Sequence, residues 1–177
     1  MRTGYPDQIA VGNELSYDCI TEQKRELGRE YTCMIKKAET NDLKTLAELA
    51  VIMWNEHSVT ELVDEFSEII ANGKSVFFLK YEKTLPVGFV QCQLRYDYVE
   101  GTTTVPVGYL EGIFVKEGHR NKGYAKELLA ACEAWARESG CHEFASDCEI
   151  DNAGSFQFHK AMNFIEANRI ICFTKRL

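Results

Sequence analysis

The stretch from Val107 to Gly140 constrains the fold more than any other part of the chain. An apolar run, Val107 to Val115, breaks into Arg120-Asn121-Lys122-Gly123-Tyr124-Ala125. A helical pattern follows, with Ala125, Leu128, Leu129, Cys132, Trp135 and Ala136 on one face and a stop at Gly140. A strand that passes through a short basic loop into a helix leaves the first helical N–H groups without carbonyl partners, at the positive end of the helix dipole. Such a loop is an anion seat, in which main-chain donors hold the anion, Gly123 lets the backbone approach, and Arg120 and Lys122 add charge. A basic residue and a glycine opening an ordinary surface helix leave the same letters, so the segment alone keeps both readings open. Neither G-x-G-x-x-G nor G-x-x-x-x-G-K-[ST] is present, which excludes two common nucleotide loops.

Strand and helix patterns surround this segment. Ile35-Lys36-Lys37-Ala38 begins a strand, and Asn41 or Asp42 caps a helix carrying Leu43, Leu46, Leu49, Ala50 and Met53 as far as Trp54. A second helix covers about Val59 to Ala71, with Leu62, Val63, Phe66, Ile69 and Ile70 inward and Asn72-Gly73 as its stop. Ser75 to Tyr81 reads as a strand. A turn over Lys83 to Pro86 leads to a longer, half-buried strand, where Val90, Cys92, Leu94, Tyr96 and Tyr98 alternate with Phe89, Gln91, Gln93, Arg95 and Asp97. Gly101 to Thr104 forms its hairpin loop. Past Gly140 come a short strand near Phe144 to Cys148, a helix from about Asn152 to Met162, and a last strand near Arg169 to Lys175. This order predicts an α/β fold with a mixed central sheet, helices on both faces, and one domain. Residues 1–33 hold Gly4, Pro6, Gly12, Asn13 and Gly28 without a sustained apolar period. They read as an N-terminal extension, weakly ordered or upstream of a natural start at Met34, with the domain at 34–177.

Charge narrows the partners. Twenty Lys and Arg against 27 Asp and Glu give a net charge of −7, which argues against nucleic acid or an anionic membrane as the main ligand. It suits a cationic ligand, and it is equally the charge of many ordinary acidic proteins. Seven cysteines, odd in number and without a C-x-x-C pair, indicate reduced thiols and no metal site. Cys148 reads as a small apolar filler rather than a nucleophile. No apolar stretch reaches the roughly 18 residues of a membrane span, and the first 30 residues hold no signal-peptide block, so a cytoplasmic location is expected.

Two carboxylates stand out. Simple alternation puts Glu111 on the same face as Tyr109, Ile113 and Val115, a costly place for a charge without a purpose. There it can take a proton from an ammonium, directly or through water. It can equally be an exposed bulge carboxylate, or pair with Arg95 across the sheet; Gly112 beside it fits a bulge that re-aims a side chain. Asp147 ends a strand where the sheet should part, and serves either to bind a ligand or to cap a turn.

The pattern R-x-x-G-x-A over Arg120, Asn121, Lys122, Gly123, Tyr124 and Ala125, with its strand and helix, resembles the acetyl-CoA loop of the GCN5-related N-acetyltransferases (GNAT superfamily). The resemblance implies a single-domain GNAT acyl-CoA N-acyltransferase fold, with acetyl-CoA as donor and no metal. The run Asn152 to Phe164 resembles the second coenzyme segment of that family. It implies that Asn152 binds the pantetheine arm, that Lys160 lies at the coenzyme, and that His159 fills the slot where a tyrosine usually protonates the departing thiolate. Asn163 stands where glycine is more usual. A structural histidine is an equal reading of His159.

A closer resemblance is to the aminoglycoside 6′-N-acetyltransferases. It rests on Arg95-Tyr96-Asp97-Tyr98-Val99-Glu100-Gly101, Leu110-Glu111-Gly112-Ile113-Phe114-Val115, Gly140 to Asp147, and the closing Lys175-Arg176. It implies an antibiotic site lined by Trp54, Tyr98, Glu111 and Asp147, with both carboxylates holding ammonium groups. It further implies acetyl-CoA held by Ile113, Phe114, Val115 and the loop amides, direct attack in a ternary complex, and a homodimer. Asn168 sits where relatives can carry a carboxylate. Trp54 and Tyr98 fit core or rim packing as well. Other acceptors, such as a polyamine, a metabolite amine or a protein lysine, keep the same coenzyme loop, and so does a non-catalytic acyl-CoA-binding module.

Overall fold

The computed structural model describes residues 20–22 and 33–177. In chain order the elements are β1 (Ile20–Glu22), β2 (Cys33–Lys37), α1 (Leu43–Met53), α2 (Val59–Asn72), β3 (Ser75–Glu82), β4 (Leu85–Arg95), β5 (Val107–Val115), α3 (Tyr124–Glu138), β6 (Phe144–Ser146) and α4 (Ala153–Ala161). The six strands lie in one sheet in sequence order, antiparallel from β1 to β5, with β5 and β6 parallel. The parallel pair is joined by the α3 crossover. Most of the stretch read as an extension, residues 1–33, lies outside the described residues; Ile20–Glu22 adds a strand that the pattern did not suggest, paired with Ile35, Met34 and Cys33.

Local chemistry sets the helix ends. Ser58 and Glu61 form a reciprocal cap at α2, with Glu61 N–H donating to Ser58 Oγ at 3.2 Å and Ser58 N–H to Glu61 Oε2 at 2.7 Å. Gly73 ends α2 in the left-handed region at φ 71°. Before α1, the buried Asp42 carboxylate accepts from Glu39 N–H at 3.0 Å and from Lys36 Nζ at 2.6 Å.

Two cores sandwich the sheet. Helices α1 and α2 close one face over Leu46, Leu49, Leu62, Phe66, Phe77, Leu79, Phe89 and Phe114. Helix α3 closes the other with Leu128, Leu129 and Cys132 over Val76, Phe78, Val87, Val90, Cys92 and Leu110. The strand β4 is therefore covered on both sides, and Val87 through Cys92 are all buried, where alternation alone predicts one wet face. It ends at Arg95, so Tyr96, Asp97 and Tyr98 lie in an exposed loop rather than in the strand.

The pairing of β4 with β5 slips once. Cys92 stands opposite Leu110 and Gln91 opposite Gly112, which leaves Glu111 as the extra residue of a bulge. The bulge changes which face follows: Leu110, Ile113 and Val115 pack in the α3 core, while Tyr109 joins Val99 and Val107 elsewhere. Glu111 is thus not on the face of Ile113 and Val115, as simple alternation has it.

The last strand, expected over 169–175, is not formed. Residues 165–177 carry no regular structure, and Ile165, Ile170, Ile171, Phe173 and Leu177 are exposed. A strand needs an edge to pair with. After α4 the chain instead runs past the β4–β5 loop, where Ala167 lies against Gly101 and Asn168 Nδ2 donates to Glu100 Oε1 at 3.3 Å. Asn163 takes a left-handed φ of 66° at the end of α4, a conformation that asparagine tolerates and that explains a glycine preference there. Cys148, read as an apolar filler, is exposed.

Candidate active site

β6 pairs with β5 only over Gly108, Tyr109 and Leu110. From Glu111 to Val115, which includes the coenzyme candidates Ile113, Phe114 and Val115, the outer edge of β5 has no partner strand among the described residues. Pairing of the two strands stops there, with Glu111 the next residue on β5 and Asp147 the next after β6. In sheets of this kind ligands bind where strands part at their C-terminal ends.

The two carboxylates belong to one network. Arg95 grips Glu111 bidentately, with Nη2 at 2.8 Å from Oε1 and 3.0 Å from Oε2, and Nε at 3.2 Å from Oε1. Its guanidinium lies 3.3 Å from the centroid of the Tyr109 ring. The Tyr109 hydroxyl donates to Asp147 Oδ1 at 2.9 Å. Burial first, and the bond to Asp147 second, push the Tyr109 hydroxyl up to about 12, so it stays a proton donor at any working pH. Glu111 therefore takes the Arg95 pairing left open by its sequence, and it does so in the bulge. Each carboxylate keeps lone pairs for a cation, because an ionised carboxylate offers about four acceptor sites.

Trp54 ends α1 and packs edge-on against Phe66 and Phe89, at ring separations of 6.2 and 5.6 Å. Its ring also lies on Gly112: a Cβ there would come within 2.8 Å of Trp54 Cζ2. The half-buried indole thus roofs the residue next to Glu111. Tyr98 stands apart on the exposed loop, 82% accessible, and donates to Glu100 Oε2 at 2.7 Å. Glu100 also accepts from Asn168, which links Tyr98 to the start of the C-terminal arm.

The basic loop joins β5 to α3 through two left-handed residues. Gly123 precedes α3 at φ 85°, a conformation only glycine adopts freely, and a Cβ there would meet nothing within 4 Å. Glycine is therefore needed for its backbone angle rather than for space. Asn121 is left-handed too, at φ 61°. The loop leads straight into the first turn of α3, at the positive end of its helix dipole. Arg120 turns its Nε onto Val115 O at 3.0 Å, bracing the loop on β5, while Lys122 is half exposed. The Tyr124 side chain is buried in the α3 core, which the loop motif alone did not indicate.

The second coenzyme segment forms α4. Asn152 caps it, with its Oδ1 accepting Ser155 N–H at 2.9 Å, and Lys160 is exposed in its last turn. His159 Nδ1 lies 2.7 Å from Ser155 O, so that nitrogen carries the proton. Its Nε2 is buried without a hydrogen-bond partner, and the ring makes edge contacts with Phe158 and Phe164 at 5.5 and 5.0 Å. In this tautomer Nε2 has no proton to give; donation from it requires the imidazolium.

The sequence offered the Arg95–Glu111 pairing as one alternative and did not single out Tyr109 as a site residue. The available signal was the spacing of Tyr109 two residues before Glu111 on one strand, with Arg95 at the end of the neighbouring strand. Among the described residues no cluster of three or more His, Cys, Asp or Glu is arranged to hold a metal, and no helix is long and apolar enough to cross a membrane.

Comparison with known proteins agrees with this geometry. Residues 43–164 match the acetyltransferase (GNAT) family. The chain is 34% identical over 143 residues to an aminoglycoside N(6′)-acetyltransferase type 1 of Acinetobacter haemolyticus, covering 81% of this chain and 98% of that one. It is 36% identical over 124 residues to the protein of that name from Salmonella typhimurium, covering 70% and 86%. Among solved structures it resembles the aminoglycoside N-acetyltransferase AAC(6′)-Iy in complex with CoA (TM-score 0.82, 32% identity, 86% of this chain and 100% of that one). It also resembles the aminoglycoside 6′-N-acetyltransferase of Acinetobacter baumannii (TM-score 0.77, 33% identity, 82% and 99%).

Proposed function

Since the chain belongs to the acetyltransferase (GNAT) family, we propose that it transfers the acetyl group of acetyl-CoA to the 6′-amine of aminoglycosides, and so confers resistance to them. The observation that carries this reading is the Glu111–Arg95–Tyr109–Asp147 network: two carboxylates, oriented by Arg95 and Tyr109, stand where β5 and β6 stop pairing, in a protein of net charge −7. Such a pair attracts a substrate with several ammonium groups and orders them. The relative from Acinetobacter haemolyticus and the solved structure from Acinetobacter baumannii carry this activity in their names.

In the proposed reaction the acetyl-CoA pyrophosphate sits on the amides of Gly123, Tyr124 and Ala125, with Asn121 and Lys122 along the loop and Asn152 and Lys160 on the far wall. The thioester lies along the open edge of β5. Glu111 and Asp147 hold sugar ammoniums, with Trp54 and Tyr98 against the rings. One ammonium loses its proton to Glu111 through water. The amine nitrogen attacks the thioester carbonyl, strand amides stabilise the oxyanion, the C–N bond forms and the C–S bond breaks. The thiolate takes a proton, for which the imidazolium of His159 is the candidate donor.

We further infer a homodimer in the cytoplasm. Five large apolar side chains exposed along 165–177, and an outer edge of β6 that pairs with no strand among the described residues, are what a second copy would cover. Free cysteines and the use of acetyl-CoA support the location. Sedimentation should give twice the 20.2 kDa of one chain, and removal of 165–177 should lower it; a monomer at working concentrations would overturn the dimer.

The activity is tested by release of coenzyme A thiol from acetyl-CoA with a panel of aminoglycosides, spermidine and a lysine peptide. Turnover on 6′-amino compounds alone is expected. Preference for spermidine or the peptide would transfer the site to another acceptor, and absence of any turnover would leave an acyl-CoA-binding module.

A further inference from the structure

We propose that Glu82 is a positioning residue for the coenzyme: its single carboxylate ties His119, Lys122 and Tyr124 together and so fixes the amide seat at the start of α3. The inference rests on the reading of that loop as the pyrophosphate seat. Glu82 ends β3 and is not part of the loop, yet three side chains of the loop and its helix converge on it. His119 Nδ1 lies 2.7 Å from Oε2, Lys122 Nζ is 3.2 Å from the same oxygen, and the Tyr124 hydroxyl donates to it at 3.2 Å. The carboxylate can only accept, so His119 Nδ1 carries a proton. The hydrogen bond from His119 foremost, with those from Lys122 and Tyr124, holds the Glu82 carboxyl below the usual carboxylate range.

The loop needs such a tether. It holds two left-handed residues, Asn121 and Gly123, a conformation that asparagine adopts at a cost in free energy. Its backbone bonds include His119 N–H to Lys116 O at 2.8 Å and Arg120 N–H to Glu117 O at 3.1 Å. Beyond Arg120, the part that presents the amides is fastened to the sheet through β3. Lys80, two residues before Glu82 and on the same face of the strand, pairs with Glu127 in the first turn of α3 and lies 4.7 Å from the Tyr124 ring centroid. Lys80 and Glu82 thus form two struts from one strand to the helix start. An acidic residue beside a pyrophosphate seat repels the ligand. Its presence is explained if geometry outweighs charge: Lys122 gives Glu82 one of three donors and keeps the others for phosphate oxygens.

Binding of CoA by calorimetry, with steady-state kinetics on the full chain, tests this. Glu82→Ala should weaken CoA binding about tenfold and raise the KM for acetyl-CoA in step, with kcat and the acceptor KM within about twofold, since charge-assisted bonds are lost only at the seat. Glu82→Gln, which keeps an acceptor oxygen and the side-chain volume, should lose less, and it stands in if the alanine variant fails to fold. Unchanged or tighter CoA binding in both variants would overturn the proposal, the tighter result showing that repulsion dominates. Gly123→Val is the control for the loop. If it leaves CoA binding intact, the seat itself is misplaced and the role of Glu82 falls with it; if it abolishes binding while the Glu82 variants do not move, only the role of Glu82 falls.

Discussion

Glu111→Gln removes one charge and almost no volume from the centre of the network. The amide oxygen can still accept from Arg95, but its NH2 faces a guanidinium that only donates, so one of the charge-assisted contacts at 2.8–3.2 Å is lost outright. The stability cost is small. Arg95 is 35% and Glu111 22% exposed along the side chain, and a pair so open to solvent contributes about 1 kcal/mol or less, or about 2–4 °C in a chain of this length. The catalytic cost is larger. General bases contribute about 10²–10⁴ in rate, and a base that acts through water behind a bound guanidinium belongs at the lower end. We expect kcat to fall about a hundredfold, which is about 2.7 kcal/mol of barrier. CoA binding should hold within about twofold, because the open edge of β5 and the loop amides are untouched. Thiol release under saturating acetyl-CoA, calorimetry with CoA and a melting curve separate these effects. A kcat within threefold of the parent, or equal loss of kcat and CoA affinity, would refute the assignment of Glu111 as base.

Tyr109→Phe should raise the acceptor KM several-fold, because Asp147 loses the donor that orients it, while kcat changes less. The same hydroxyl gives a pH dependence of stability. Its proton is bound more tightly in the folded chain, with the titration point raised from the ordinary 10.0 to about 12, so the stabilisation is complete below 10 and is lost as pH rises from 10 to 12; melting in that window should fall less steeply in Tyr109→Phe. Gly108→Ala places a Cβ 2.6 Å from Phe144 and 2.7 Å from Ala136, which clamps β5 between β6 and α3, and a loss of about 1–3 kcal/mol in denaturant unfolding is expected. A chain starting at Met34 should fold and turn over at the parent rate; loss of either would show that the β1 strand Ile20–Glu22 is required.

Much of the fold was legible because its signals are local. The Asn72-Gly73 stop and the strand–loop–helix around Gly123 each lie within a few residues, and helix periodicity marked the buried faces of α1, α2 and α3. Signals that depend on distant partners were not legible. The wet face expected on β4 vanished because helices α1 and α3 cover opposite sides, which no window of β4 records. The bulge at Glu111 was suggested by Gly112, but its consequence for Tyr109, Ile113 and Val115 depends on the register with Cys92 and Gln91. The strand expected over 169–175 does not form although the outer edge of β6 is unpaired among the described residues; whether a segment joins an edge is decided by tertiary contacts that no local window records. For the site, residue types and motif spacing picked out Glu111, Asp147 and the anion loop. The roles of Tyr109 and Glu82 arise from side chains 38 and 37–42 residues from their partners, and only the folded sheet brings those together.

The central claim is that the acetyl group goes to a 6′-amine. Acetyl-CoA turnover should therefore be compared on two aminoglycosides that differ only in a 6′-amino or 6′-hydroxyl group, with the product identified by mass spectrometry and its acetylated nitrogen located by NMR. We expect one acetyl group on the 6′-nitrogen of the amino compound and no turnover of the hydroxyl compound. Equal turnover of both, or acetylation at any other nitrogen, would contradict the account.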